Sequence, residues 1–290
     1  MTADVALVTY EGLPQLDPDD RVLPPALARR GLAVDVVRWD DAGYPWAAAR
    51  LVVLRNPWDY FRRIDEFLAW ATRVADMTRL ENPLSVLRWN LHKGYLVELA
   101  RRGAPVVPTA LLPRGSDCDL AALAAERGWR ALVVKPAVSA DSWETHALRP
   151  GEIAAGQAIV DRLLPERDLL VQPFLDAVES EGERCLIFLD GRFSHAVRKN
   201  ALTQGGRWAG LPEGAPVEAA ADEIAAGEKV LAASGLGTLL YARVDLIRDS
   251  AGTPRLLELE LAEPTLFLTD APAGLERLVE AIARRVAARG

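Results

Sequence analysis

The stretch Arg255-Leu-Leu-Glu-Leu-Glu-Leu-Ala-Glu-Pro264 sets two carboxylates, Glu258 and Glu260, in an apolar run. Side chains alternate between the two faces of a strand, so both acids point to one face and the leucines to the other. The preceding run, Tyr241-Ala-Arg-Val-Asp-Leu-Ile247, is joined to it by turn-like residues, and a hairpin would bring Asp245 beside the pair. Three carboxylates on one face predict a site for Mg²⁺ or Mn²⁺, which take oxygen ligands and share them with phosphates. The alternative is a solvated strand face balanced by arginines.

Composition narrows the class of protein. The chain has 290 residues, 50% of them hydrophobic and 26% charged, which predicts two or three subdomains around a substantial core. Its net charge of −7 and the lack of a basic stripe argue against a nucleic-acid partner. No apolar run reaches membrane-spanning length, and the strand-like run 5–10 follows the first residues directly. We therefore expect a cytoplasmic protein with no membrane partner.

The alternation of short apolar strands and amphipathic helices predicts a mixed α/β (α+β) architecture. An N-terminal parallel α/β domain is expected over residues 1–83, because Glu81-Asn-Pro83 breaks the chain after a helix. A second module is expected over 84–168 and a third, carrying the acids, over 169–290. In the third module, Asp190-Gly191 predicts a tight hairpin turn and residues 216–233 suit a helix.

Lysines are scarce, and three of them stand at the ends of predicted elements. Lys135 ends an apolar strand, Lys93 precedes a helix, and Lys199 ends a hairpin strand. Each alone is more often a solvated strand end. Together with a three-carboxylate face they complement a metal nucleotide, with cations for the phosphates and carboxylates for the metal.

The order of these motifs resembles that of ATP-grasp ligases, in the glutathione-synthetase-like branch, and the resemblance covers nearly the whole chain. Within that branch, three segments are similar to D-cycloserine synthetase and its relatives: the loop 55–60, the run 87–96, and the run from Glu260 to Leu268. No Walker-type or Rossmann glycine motif is present. The resemblance implies a fold with an N-terminal parallel α/β domain and two further subdomains that clamp ATP between them.

The resemblance also implies residue roles. It assigns the ATP phosphates to Lys93 and Lys135, adenine to Gln172, Pro173 and Phe174, and ribose to Glu183. It assigns the metal to Asp245, Glu258 and Glu260, and the transferred phosphoryl group to Arg198, Lys199 and Arg243. The phosphate-covering loop corresponds to residues 139–145, with Ser139 and Ser142, and it lacks the family's usual glycines. Residues 137–145, which lack apolar anchors, and the Gly- and Pro-rich residues 200–216 are expected to be mobile without ligand and to close over the nucleotide.

The loop Arg55-Asn-Pro-Trp-Asp-Tyr60 ends a predicted parallel strand, where open α/β sheets present ligands. We therefore expect Arg55 to pair with a substrate carboxylate, and Trp58, Asp59 and Tyr60 to shape the pocket. The expected reaction is ATP-dependent activation of a small carboxylate, an amino acid or derivative, as an acyl phosphate that an amine captures. Ring closure within one amino acid derivative and a non-catalytic nucleotide-binding regulator are the alternatives. A homodimer is compatible with the sequence.

Overall fold

The computed structural model describes residues 3–140, 142–199 and 214–288. The described residues form three sheets, each with its own helices. No helix among them combines the length and the apolar character that a bilayer crossing requires.

The N-terminal sheet is parallel, with strand order β2-β1-β3-β4. Its strands are β1 (Val5–Thr9), β2 (Val34–Arg38), β3 (Leu51–Leu54) and β4 (Arg79–Glu81), and its helices are α1 (Leu23–Ala28) and α2 (Ile64–Met77). Every residue of β1 and β3 is buried, as expected for central strands covered on both faces. The predicted parallel α/β domain is confirmed.

Two helices, α3 (Leu84–Asn90) and α4 (Tyr95–Arg101), lead to the middle sheet. This sheet is antiparallel, with order β5-β8-β6-β7, and comprises β5 (Ala110–Leu112), β6 (Leu132–Pro136), β7 (His146–Leu148) and β8 (Leu169–Pro173). It is accompanied by α5 (Leu120–Arg127) and α6 (Ile153–Leu163). The Asp119 side chain accepts the Ala122 N–H at 2.9 Å and so caps α5 at its N-terminus.

The C-terminal sheet is antiparallel, with order β11-β10-β9-β12-β13, and it follows the short helix α7 (Ala177–Ser180). Its strands are β9 (Glu183–Leu189), β10 (Arg192–Lys199), β11 (Gly214–Val217), β12 (Tyr241–Arg248) and β13 (Pro254–Glu260); its helices are α8 (Ala221–Ser234) and α9 (Pro272–Ala287). Asp190 and Gly191 both have positive φ, 52° and 74°, as the predicted hairpin turn requires.

Two expectations about the modules need correction. The helix expected over 216–233 begins at Ala221, because Pro216 and Val217 instead pair with β10 as part of β11. The expected boundary between residues 168 and 169 cuts through a sheet, since β8 pairs with both β5 and β6. Side chains of α3 and α4, such as Val86 and Leu96, share a buried cluster with those of the C-terminal sheet.

Candidate active site

The predicted acidic face lies on the β12–β13 hairpin. Asp245 stands directly opposite Glu258, and Arg243 stands opposite Glu260, which confirms the hairpin that the sequence predicts. Asp245 is buried, whereas the Glu258 and Glu260 side chains keep 27% and 25% of their surface exposed. The hairpin therefore presents one buried and two accessible carboxylates at the edge of the sheet.

Basic side chains from three separate segments contact these acids. Lys93 Nζ lies 3.1 Å from Glu258 Oε1, and Lys199 Nζ lies 2.8 Å from Asp245 Oδ2. Arg243 holds Asp245 through two hydrogen bonds, of 2.8 and 2.9 Å, and also donates to Glu260. The predicted metal ligands are thus neutralised by the same cations that the sequence assigns to phosphate.

The pKa values of the three acids diverge. Burial acts to raise the pKa of Asp245, but Arg243 and Lys199 bring that pKa well below its ordinary value. Burial also acts to raise the pKa of Glu258, and Lys93 and Lys135 reverse the effect and lower it. For Glu260, burial and the negative charge of Asp245 outweigh Arg243 and raise the pKa to about 7. The hairpin accordingly carries at least two ionised carboxylates at neutral pH.

Lys135 is one of two buried lysines of the site, with Lys93. It lies on β6 with 7% exposure, and no hydrogen bond or ion pair reaches its Nζ from the described part of the chain. Burial lowers the pKa of this lysine, because desolvation disfavours the charged form. Nearby, the Lys93 ammonium donates to the main-chain carbonyl of Ser139 as well as contacting Glu258. An anion placed between these lysines would give Lys135 the ion pair that it lacks among the described residues.

The other residues assigned to the nucleotide have mixed surroundings. Gln172 is buried on β8 and donates to Thr109 Oγ1 at 2.9 Å. Pro173 ends the same strand, and the Phe174 ring lies 3.9 Å below the Arg149 guanidinium carbon. Glu183 is buried on β9, with Lys199 Nζ at 3.4 Å. Of these four residues, Glu183 contacts a lysine of the site, and the contacts of all four with a base or ribose stay predictions.

The predicted phosphate-covering loop lies partly outside the described residues, since Asp141 is not among them. Ser139 is buried and its hydroxyl donates to Pro136 O at 3.3 Å, and Ser142 adopts a positive φ of 53°. Trp143 packs on Phe61 of the N-terminal domain, with ring centroids 5.6 Å apart. The expected mobility of residues 200–216 falls mostly on 200–213, which also lie outside the described residues.

Arg198 is not brought to the carboxylates. It neighbours Lys199 on β10, and successive side chains of a strand point to opposite faces, so only one of the two can face the acids. Lys199 does so, whereas Arg198 is exposed. The position of Arg198 therefore does not support its predicted contact with the transferred phosphoryl group.

The four residues expected to bind substrate contact other residues of the protein. Arg55 is completely buried, pairs with Asp20 at 3.0 Å, and donates to Pro264 O at 2.8 Å. Asp59 accepts hydrogen bonds from Trp39 Nε1 at 2.8 Å and from Arg63 at 3.1 Å.

Trp58 and Tyr60 are likewise committed to internal contacts. The Trp58 indole donates to Glu263 O at 3.0 Å, and Tyr60 is buried against Glu263. Because Arg55 has neither exposure nor free donors facing solvent, the predicted pairing with a substrate carboxylate needs correction. The loop 55–60 is a structural corner that holds the segment after β13.

That segment, residues 262–266, has an unusual set of hydrogen bonds. Five consecutive carbonyls each accept a hydrogen bond from a different side chain, and the donors come from β10, β12 and the loop 55–60. The pairs are Tyr241 to Ala262 (2.8 Å), Trp58 to Glu263 (3.0 Å), Arg55 to Pro264 (2.8 Å), Arg243 to Thr265 (3.2 Å) and His195 to Leu266 (2.8 Å). We call residues 262–266 the carbonyl-anchored segment.

The outer edge of β13 is fixed in a similar way. The Asn90 side chain donates to Leu259 O at 2.8 Å and accepts from Leu261 N at 2.9 Å. The Tyr95 hydroxyl accepts from Leu259 N and donates to Leu259 O, both at 2.9 Å. These buried groups replace a missing neighbouring strand and hold the two glutamates of β13 in register.

Glu263, Asn90 and Tyr95 lie within motifs that the sequence analysis quotes, but it predicts no role for them. Glu263 is half-buried in the carbonyl-anchored segment. Burial raises its pKa to about 7, and the hydrogen bond from Tyr60 and the charge of Lys93 compensate only in part. A signal existed in the sequence, since a third acid follows Glu258 and Glu260 in the same run.

Comparison with known proteins agrees with this geometry. Residues 5–82 match the family model for the N-terminal domain of the D-cycloserine synthetase DcsG. The cycloserine biosynthesis protein DcsG of Streptomyces lavendulae is 36% identical over 301 residues, covering 97% of this chain and 98% of that protein. The crystal structure of D-cycloserine synthetase DcsG superposes with a TM-score of 0.90 at 36% identity, covering 97% of this chain and 99% of the other.

A more distant structure, the D-alanine–D-alanine ligase of Bacillus anthracis, shares the fold at 12% identity, with a TM-score of 0.66 and coverage of 99% and 98%. The three-sheet fold and the acid hairpin define an ATP-dependent ligase of the ATP-grasp class, as the order of motifs predicts. Within that class, the chain belongs to the D-cycloserine synthetase family, because the similarity to DcsG extends over both chains almost completely.

Proposed function

We propose that this enzyme binds Mg²⁺ and ATP at the β12–β13 hairpin and phosphorylates the carboxylate of an amino acid derivative. An oxygen of that carboxylate attacks the γ-phosphorus, the bond to the β-phosphate oxygen breaks, and ADP leaves. An amine nitrogen then attacks the acyl carbon and the nitrogen loses a proton to solvent. The bond between the acyl carbon and the phosphate oxygen breaks, and inorganic phosphate leaves with its electron pair. The products are an amide, ADP and phosphate.

The observation that carries the proposal is the charge arrangement around the hairpin. The acids are compensated by Lys93, Lys199 and Arg243, while the buried Lys135 forms no ion pair with a described residue and interacts with Glu258 only electrostatically. Asp245, Glu258 and Glu260 supply hard oxygen ligands and would hold the metal, whose role is to neutralise phosphate charge during transfer. Once they do so, Lys93 and Lys199 become available to the phosphate oxygens beside Lys135.

Ring closure within one substrate molecule is the form of the reaction that we favour. The similarity to D-cycloserine synthetase over almost the full length of both chains supports it, since that protein is named for a cyclic product. In this form the attacking nitrogen and the acyl phosphate belong to one molecule, so the enzyme needs to hold only one substrate beside ATP. Use of Mn²⁺, a homodimer and a cytoplasmic location remain predictions.

An ADP-release assay tests the proposal. We expect wild-type protein with Mg²⁺ and ATP to release ADP only when a small carboxylate carrying an amino group is added. Mass spectrometry of the product separates ring closure, in which one substrate is retained, from ligation, in which two are joined. Wild-type protein that bound no ATP in the presence of Mg²⁺, while fully folded, would contradict the proposal and favour neither form of the reaction.

A further inference from the structure

The carbonyl-anchored segment holds the backbone of Glu263, three positions after Glu260 in the chain. Side chains anchor the carbonyl of Glu263 itself and the carbonyls of Ala262, Pro264 and Thr265 on either side of it. Backbone held from several elements at once has little freedom to move, so a side chain on it is pre-positioned. Glu263 is the one acidic residue of this segment.

Glu263 differs from the hairpin acids in forming no ion pair with any described residue. Asp245, Glu258 and Glu260 each contact a lysine or arginine. No ion pair to Glu263 is formed by the described residues. Its side-chain partner is the Tyr60 hydroxyl, and the charges of Lys93, Glu258 and Arg243 act on it electrostatically.

We propose that Glu263 binds, in its ammonium form, the amino group of the substrate that does not take part in ring closure. The inference rests on the proposed function and adds a specificity-determining residue to it. A half-buried carboxylate without a cation is poorly compensated, and an ammonium supplies both the charge and the donors that it lacks. The raised pKa of Glu263 agrees with a site that is completed by a bound cation.

Two other roles fit the geometry less well. As a further metal ligand, Glu263 would add a fourth carboxylate where three acids already face the metal position. As a purely structural residue, it would need its carboxylate to hold the fold together. The segment is instead held through main-chain carbonyls, which a change of side chain leaves in place.

The test compares two compounds that differ only in the amino group, D-cycloserine and 1,2-oxazolidin-3-one. Calorimetry measures their binding to wild-type protein, to Glu263→Gln and to Glu276→Gln, each with Mg²⁺ and ADP present. Glutamine keeps the size of the side chain and an acceptor for Tyr60 but removes the charge. Glu276 is an exposed acid on α9 that contacts Arg30, so its variant is the matched control.

We expect wild-type protein and Glu276→Gln to prefer D-cycloserine. Glu263→Gln should bind D-cycloserine on the order of tenfold to a hundredfold more weakly, the range of one charge-assisted hydrogen bond, with binding of the analogue unchanged. Equal weakening for both compounds, an unchanged preference in Glu263→Gln, or no preference in wild-type protein overturns the inference. ADP release by the same preparations, measured separately, shows whether the proposed function itself holds.

Discussion

Arg243 and Asp245 lie two positions apart on β12 and form a two-pronged ion pair, with nitrogen–oxygen distances of 2.8 and 2.9 Å. Both groups are buried, so the carboxylate is held in one orientation by a planar guanidinium. The pair allows an acid to remain ionised inside the sheet, and it holds this acid facing Glu258 on the next strand. The two acids therefore face each other across the hairpin.

Replacing Lys135 by methionine should weaken ATP binding by roughly tenfold to a hundredfold, because a charge-assisted contact contributes about 1.5–3 kcal/mol. Calorimetry with Mg²⁺ and ATP measures the effect, and Lys229→Met, at an exposed lysine of α8, is the matched control. The melting temperature should not fall, since the variant removes a buried ammonium without a partner. Unchanged ATP affinity would remove Lys135 from the phosphate site.

Replacing Arg55 by alanine should destabilise the fold rather than act mainly on KM. The change leaves the Asp20 carboxylate buried without its partner, which typically costs about 3–5 kcal/mol. Denaturant unfolding measures the loss, and Arg73→Ala, at an exposed arginine of α2, should leave stability nearly unchanged. Full stability combined with a raised KM for the amino acid would restore the substrate role that the sequence predicts.

Replacing Tyr95 by phenylalanine should loosen the strand that carries Glu258 and Glu260. The hydroxyl accepts from the N–H of Leu259, whose carbonyl keeps its donor from Asn90, and leaving the buried N–H unsatisfied costs about 1–3 kcal/mol. We expect faster hydrogen exchange at Leu259 and Leu261 together with a higher Mg²⁺ requirement. Tyr44→Phe, on an exposed tyrosine hydroxyl contact with Asp35, is the control. Exchange at Leu259 as slow as in wild-type protein would show that the hydroxyl is dispensable.

Glu263 should make the ligand-free protein less stable as the pH rises. Its pKa is about 7 when folded against an ordinary 4.5, so between these pH values the folded state holds a proton that the unfolded chain has released. Stability contributed by this proton is therefore present below about pH 4.5 and is lost as the pH rises towards 7. Unfolding free energies at pH 5 and pH 7 should thus differ less in Glu263→Gln than in wild-type protein. Identical pH dependence would mean that the folded pKa is not raised.

The sequence predicts the β12–β13 hairpin and its acidic face well because the information for them is local. Alternation places Glu258 and Glu260 on one face, and a short turn fixes Asp245 opposite. The positions of Lys93 and Lys135 are predicted less directly, through the order of motifs. Lys93, for example, contacts Glu258, which lies in a distant segment of the chain.

The predictions that needed correction concern residues whose contacts lie far away in the chain. Arg55 stands at a strand end, but its partner Asp20 lies 35 residues earlier, so burial is not visible in the motif. Pro216 belongs to a Gly- and Pro-containing run, yet pairing with Val197 makes it part of a strand. The five side chains that donate to the carbonyl-anchored segment come from three separate parts of the chain. No periodic sequence pattern predicts these hydrogen bonds.

The rate of ADP release as a function of Mg²⁺ concentration, in wild-type protein and in Glu258→Gln, tests the central claim most directly. Glutamine keeps the shape of the side chain but removes a charged metal ligand, and a bound metal contributes several kcal/mol to phosphoryl transfer. We expect the variant to fold normally and to lose at least about a hundredfold in rate at saturating ATP, with Glu276→Gln unaffected. A Glu258→Gln enzyme that turned over at the wild-type rate, with the same Mg²⁺ requirement, would contradict the assignment of the hairpin as the metal site.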